Sequence, residues 1–190
     1  PRFKGRNRFN SFEFKQYGVG AKIDGRRLRL FGIGRVPVRW HRPLEGEIKT
    51  VRIIHQAGKW YATFACDMPD RLLLPKNEHV IGIDVGISAL ITTSDGEKVE
   101  HPFFYRKGQK RLRILQRRLA RAQRGTKNRR KKLLAVQRQH EHVANQRSDF
   151  LHKLSTALVK NFDGIALEDL RITNMVRNQH LSKSILDSGW

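Results

Sequence analysis

Val80-Ile81-Gly82-Ile83-Asp84-Val85-Gly86, residues 80–86, is the stretch on which the reading of this chain turns. Apart from one acid its residues are β-branched or glycine. It reads as a short buried strand with Asp84 near its end and Gly86 closing it. Ala89 to Thr93 reads as a second strand, Ser94-Asp95-Gly96-Glu97 as a turn and Lys98 to His101 as a third strand, together an antiparallel meander. The pattern around Asp84 returns downstream, where the apolar strand Ile165-Ala166-Leu167 runs into Glu168 and Asp169. A carboxylate in such company costs free energy unless it meets a cation or hydrogen-bond donors. Acids ending two neighbouring strands converge on one point, and hard divalent cations bind such oxygens. Two ions about 4 Å apart activate a water and stabilise the leaving oxygen in phosphodiester cleavage. Asp84 and Glu168 are therefore the candidate catalytic and metal-binding residues, and Mg²⁺ is the expected ion. Asp84 beside a glycine also suits a plain turn, and Asp169 stays open as a competing ligand or a helix N-cap.

Two helical patterns lie between these acids. Lys107 to Arg124 carries Leu112, Leu115 and Leu119 at helical spacing, Gly125 and Thr126 interrupt it, and a second helix runs from Asn128 to Val159. The apolar stripe of the second helix is Leu133, Val136, His140, Val143, Phe150, Leu154 and Leu158, with Arg147 on the same line. Strand with acid, meander, helices, strand with acid is the order of the ribonuclease-H-like fold. The chain's formal net charge is +22, from 39 Lys and Arg against 17 Asp and Glu, and most of the excess sits in this helical pair. From Tyr105 to Phe162 the only acids are Glu141 and Asp149. An ordinary amphipathic hairpin with a wet face mixes both signs to form i,i+4 pairs. A face this one-sided repels itself unless a polyanion neutralises it, which makes Arg111, Arg117, Arg118, Arg121, Arg124, Lys127, Arg129, Arg130 and Lys131 candidate nucleic-acid contacts.

Residues 1–74 read as an all-β domain. Asp24-Gly25 separates Ala21–Ile23 from Arg27–Leu30, and Gln56-Ala57-Gly58-Lys59 separates Ile48–His55 from Trp60–Cys66. Several short strands of this kind predict a barrel or curled sheet. Pro69 and Leu72-Leu73-Leu74-Pro75 read as a linker, with 75–190 as the second domain; the fold class is α+β. Phe9, Phe12, Phe14 and Tyr17 interleave with Arg6, Arg8 and Lys15, which suits sheet core or a base-stacking surface. Cys66 is the single cysteine and reads as core, which excludes an internal disulfide or a cysteine-rich zinc ribbon within these residues. That usage suits a cytoplasmic compartment. No apolar run approaches the about 18 residues needed to span a membrane, no phosphate-cradling glycine loop is present, and His140 with His142 lacks helical ligand spacing. A last helix is expected from Leu181 to Trp190, with Asp187 facing solvent. The chain begins at Pro1 and ends within that helix, so both ends read as cut.

At this point the residues resemble a family. Ile81-Gly82-Ile83-Asp84-Val85-Gly86-Ile87 is similar to the first RuvC motif of the TnpB proteins of bacterial insertion sequences. Gly125-Thr126-Lys127-Asn128-Arg129-Arg130-Lys131 resembles their basic inter-helical turn. Asn145-Gln146-Arg147-Ser148-Asp149-Phe150-Leu151-His152-Lys153-Leu154 resembles their most recognisable helix, Leu167-Glu168-Asp169-Leu170 their second RuvC motif, and Leu181-Ser182-Lys183-Ser184-Ile185-Leu186-Asp187-Ser188-Gly189-Trp190 the helix after it. The first 74 residues suit the wedge-like β-barrel that precedes RuvC in TnpB and related type V CRISPR effectors. The resemblance implies an RNA-guided DNA endonuclease, also described as a transposase, with guide RNA and target DNA as partners. It makes Asp84 and Glu168 two of three catalytic acids. It places the third acid and a four-cysteine Zn²⁺ ribbon outside these residues, so the fragment is expected to be inactive. Three alternatives stay open: a nuclease-inactive repressor of the same family that binds RNA and DNA, a structural nucleic-acid binder such as a ribosome-associated protein, and a guide-free resolvase or recombinase.

Overall fold

Strand alternation and two-residue turns build the first half of the computed structural model, which describes residues 9–69 and 78–189. The chain divides into two compact units, Pro1–Leu73 and Leu74–Trp190. In the first unit β1 (Ser11–Phe14), β5 (Glu47–Gln56) and β6 (Lys59–Asp67) form one antiparallel sheet in the order β1-β5-β6. A second antiparallel sheet joins β2 (Ala21–Asp24), β3 (Arg27–Leu30) and β4 (Gly34–Pro37). The β5–β6 turn is Ala57-Gly58, with φ of 47° and 76°. Positive φ at both positions gives the turn a twist that matches the strands it joins. Val51 and Ile53 of the long sheet meet Ala21, Leu28 and Leu30 of the short one, with Phe14, Tyr17, Ile23, Val38, Ile48, Ala62 and Phe64 packed around them. Phe14 and Tyr17 are thus core, whereas Phe9 and Phe12 are exposed. The described residues form two three-stranded sheets and no closed barrel. Of the linker stretch, Leu72 to Pro75 lies outside the described residues, as do Arg6 and Arg8.

The second unit is built on a four-stranded mixed sheet. β7 (Val80–Val85), β8 (Ala89–Thr93) and β9 (Lys98–Glu100) form the expected antiparallel meander, and β10 (Gly164–Leu167) lies parallel to β7 on its other side, giving the order β10-β7-β8-β9. Between β9 and β10 run α1 (Phe104–Ala120) and α2 (Lys127–Asn161). At 35 residues α2 is about 52 Å long. Its last third, with Phe162 just beyond it, covers the sheet: Phe150, Leu151, Leu154, Leu158 and Phe162 pack on Ile81, Ile83, Leu90 and Ile91. Its earlier turns pack on α1 instead, burying Val136, Gln139 and Val143 against the helix that carries Leu112. Gly108 permits this approach, since a Cβ there would lie 3.0 Å from Val143 Cγ2.

Two short helices follow, α3 (Ile172–Met175) and α4 (Ser182–Ser188). Asp187 in α4 corrects the expectation of a solvent-facing side chain: it is 2% exposed. Its carboxylate accepts the backbone N–H groups of Tyr105 (2.8 Å) and Arg106 (3.2 Å), which are open donors at the start of α1. This cap, supplied from a distant part of the chain, lets α1 begin three residues before the expected Lys107. A buried polar cluster surrounds it. His101 Nδ1 accepts from the Phe103 N–H (2.9 Å), so neutral His101 carries its proton on Nε2 and donates to Ser188 Oγ (2.9 Å). Ser188 Oγ donates to the Ser184 carbonyl, and the Arg106 guanidinium reaches Ser184 Oγ at 2.7 Å. Gly189 ends α4 with φ of 76° against the aliphatic stem of Arg147, whose Nη1 donates to the Leu186 carbonyl at 2.7 Å. That bond explains why an arginine sits on the apolar line of α2.

Asp187→Ala should leave both donors open and lower the unfolding free energy of the second unit by about 1–3 kcal/mol, read by denaturant titration. The His101 imidazole is held below its ordinary value of 6.5, chiefly by burial and also by the Arg106 cation, against the opposing pull of Asp187. The unfolded chain therefore takes up the proton first. Stability should be level above about pH 6.5 and fall as pH drops below it, and His101→Gln should flatten that fall.

Candidate active site and nucleic-acid interface

The β7–β10 pair sets the positions of the two candidate acids. Asp163 anchors its start, with Oδ2 accepting the Glu78 N–H at 2.6 Å and its own N–H donating to the His79 carbonyl at 2.9 Å. Gly164 fits beside Val80, whose side-chain carbons would lie 3.0 and 3.2 Å from a Cβ at that position. From there the parallel register runs Ile165 beside Ile81, Ala166 beside Gly82 and Leu167 beside Ile83. Asp84 is the next residue after Ile83, and Glu168 the next after Leu167. The two acids thus leave the same end of adjacent strands at the same level, and both are exposed. On the other side Asp84 pairs with Thr92 of β8. Asp169, also exposed, sits in a tight turn in which the Leu170 N–H donates to the Glu168 carbonyl; the cap position of α3 is Arg171, not Asp169. The donor set at Asp84 and Glu168 is carboxylate oxygen alone, the kind Mg²⁺ prefers, and Mg²⁺ is held by one or two protein carboxylates plus water and phosphate. Among the described residues there is no cluster of three or more His, Cys, Asp or Glu able to hold a metal.

The basic hairpin divides into two kinds of residue. Arg111, Arg117, Arg118, Arg121, Arg124, Lys127, Arg130 and Lys131 are exposed, and their side chains make no ion pair or hydrogen bond among the described residues. Arg129 is different. Its Nη1 donates to the Leu119 and Ala122 carbonyls, both at 2.9 Å, closing the C-terminal end of α1, while its backbone N–H is taken by the Thr126 hydroxyl at 3.2 Å. Arg129 therefore holds the turn, and its membership of the phosphate-contacting set is not supported by this geometry. Sequence reading missed the role because the acceptors are the last carbonyls of another helix. Lys127, Arg130 and Lys131 crowd the N-terminal end of α2, which is the positive end of its dipole and has no acid in its first turn. Cations there are unfavourable by a few tenths of a kcal/mol to about 1 kcal/mol each, a cost that an anion would offset. Farther along, Arg111, Lys131, Arg138 and His142 line a groove between the two helices. No helix among the described residues is long and apolar enough to cross a membrane.

Two exposed acids follow register-paired residues of adjacent strands, and the helical pair between them in the chain carries cations without a partner among the described residues, in a strongly basic α+β protein of formal net charge +22. Residues 63–179 match the family OrfB_IS605, described as "Probable transposase", and the chain belongs to that family. It is 33% identical over 207 residues to the "Putative RNA-guided DNA endonuclease InsQ" of Escherichia coli (strain K12), covering 100% of this chain and 51% of that protein. It is 39% identical over 157 residues to a "Putative RNA-guided DNA endonuclease" of Streptomyces pristinaespiralis, covering 80% of this chain and 39% of that protein. The chain therefore spans about half or less of the length of these curated relatives.

Reversing Arg117, Arg121 and Arg130 to Glu should weaken binding to RNA and DNA of any sequence and flatten the salt dependence, read by anisotropy titrations at several salt concentrations. Unchanged binding would make the basic face ordinary solvated surface. Arg129→Ala should instead lower unfolding stability by about 1–3 kcal/mol, whereas Arg130→Ala should stay within about 0.5 kcal/mol of wild type.

Proposed function

We propose that this chain is the central part of a transposon-encoded, RNA-guided DNA endonuclease of the TnpB type, whose metal-dependent cleavage centre includes Asp84 and Glu168. The observation that supports the reading is the parallel register of Ile83 with Leu167, since each of these residues is followed directly by one of the two acids. In this reading the second unit is an incomplete RuvC domain of ribonuclease-H-like fold. Its antiparallel meander, with a fourth strand returning parallel to the first after a helical crossover, supports that assignment. The first unit is the wedge-like β domain, two sheets of a barrel whose closure is part of the proposal.

Asp84 and Glu168 would hold Mg²⁺ through their carboxylates, and the chemistry the metal would supply there is activation of the attacking water and charge stabilisation at the leaving oxygen. The third carboxylate implied by the resemblance, and the Zn²⁺ ribbon, belong in this reading to the longer protein. Among the described residues neither Asp84 nor Glu168 is tied down by a protein cation, which supports their availability to a metal. The exposed hairpin cations grip the backbones of guide RNA and target DNA, while base pairing to the guide reads sequence. A cytoplasmic location follows from the same reading.

The full-length parent, loaded with guide RNA, should cut matched DNA in Mg²⁺. Asp84→Ala or Glu168→Ala should each reduce cutting at least about a hundredfold while guide RNA affinity stays within about twofold. The 190-residue chain should shift labelled RNA or DNA in a gel at low salt and leave it uncut. Metal-dependent cutting by the short chain, lost in Asp84→Ala, would place the third ligand within these residues and overturn the assignment. A parent that binds its RNA but cuts nothing would favour the nuclease-inactive repressor.

A further inference from the structure

β10 is thinly supported. It is four residues long and, among the described residues, pairs only with β7 at the edge of the sheet. Ile165 packs on the core, whereas Ala166 and Leu167 are exposed, Leu167 at 62%. Side-chain burial therefore specifies the register of this strand weakly. A slip of one residue would carry Glu168 about 3.3 Å along β7 and exchange the faces of Ile165 and Ala166. The register is knitted instead just before the two strands begin. Asp163 Oδ2 accepts the Glu78 N–H at 2.6 Å, and the His79 carbonyl accepts the N–H groups of Asp163 (2.9 Å) and Gly164 (3.3 Å). Glu78 has a φ of 61°, a left-handed conformation uncommon in a residue with a side chain. The Asp163 carboxylate meets the amide of that residue in a charge-assisted bond, which is stronger than a neutral one. Gly164 adds a steric half to the lock: a Cβ there would lie 3.0 Å from Val80 Cγ2, so glycine admits the close approach that the Asp163 bond holds.

We infer that Asp163 is a positioning residue for the metal centre: its carboxylate locks the register of β10 on β7 and so sets the level of Glu168 against Asp84. The inference rests on the metal-dependent reading above. Asp163 acts at a distance, since Glu168 lies five residues on, about 16 Å along an extended strand. It therefore touches neither the metal nor a substrate phosphate held there. Mg²⁺ demands near-ideal octahedral geometry, with ligand distances of about 2.0–2.1 Å. A strand that frays or samples a second register holds one of the two carboxylates out of reach. The loss then falls on metal affinity before it falls on guide or target binding.

Two measurements on Asp163→Ala and Asp163→Asn test it; the second variant keeps an acceptor oxygen and loses the charge. In the 190-residue chain, hydrogen exchange of the β10 amides should be at least about tenfold faster in Asp163→Ala, with β8 and α2 protected as in wild type and Asp163→Asn close to wild type. In the full-length parent loaded with guide RNA, Asp163→Ala should raise the Mg²⁺ concentration for half-maximal cutting at least about tenfold. The rate at saturating Mg²⁺ and the affinity for guide RNA should each stay within about threefold, and Asp163→Asn should recover most of the shift. Unchanged exchange in β10 would overturn the inference. So would protection lost evenly across the second unit, which would make Asp163 a general structural residue. A Mg²⁺ requirement unmoved in a parent that cuts would overturn it too, as would a shift of equal size in both variants, which would trace the effect to charge alone. A wild-type parent that cuts nothing would sink the proposed function instead, and the exchange of β10 would then decide by itself whether Asp163 sets the strand.

Discussion

The parallel pairing of β7 with β10 joins segments that the chain separates with both long helices. Parallel neighbours cannot be linked by a tight turn, so the polypeptide must leave the sheet and come back before the second strand can form. The hydrogen bond from the Glu78 N–H to Asp163 closes a span of 85 residues, and Gly164 lets the returning strand settle against Val80. Everything between is in effect a crossover. The apolar side of the last third of α2 covers the sheet and brings the chain back at the required level, and the rest of the helical pair is free to extend away from it. The neighbouring positions of Asp84 and Glu168 are a product of that return.

Much of this was legible because apolar patterning is local. The strand around Ile81 and Ile83, the meander, the two helices and the strand before Glu168 all show in the sequence through alternation or helical spacing. What escaped was set by groups remote in sequence. Asp187 looks like a surface acid at the tail of a short helix, yet it caps α1; Arg129 looks like one more cation in a basic run, yet it closes the other end of the same helix. Helix ends carry unsatisfied donors and acceptors that any passing side chain can meet, so their partners follow the tertiary path rather than the local pattern. β1, β4 and α3 were missed for a different reason. Each is only four residues long, and β4 has no buried residue to show a period.

Charge is arranged against the stability of the isolated chain. Cations crowd the positive end of α2, while the acids that could relieve them are few. Such placements lower stability in isolation and raise the free-energy gain on meeting a polyanion, because the repulsion disappears in the complex. The arrangement is consistent with membership of a family of transposase-related proteins.

The unbroken course of α2 restricts how such a chain can change length. One helix runs from the turn fixed by Thr126 to the side chains that cover the sheet, without a kink-forming proline or glycine. Adding a single residue within it would rotate everything on one side by about 100° relative to the other. The cationic face would then turn away from its direction while the sheet-covering face kept its place, or the reverse. Insertions inside α2 should therefore be tolerated mainly in steps near whole turns, such as about seven residues, which restore the facing to within about 20°. The turn at Arg121–Thr126 is the place where single residues can come and go without re-aiming either face.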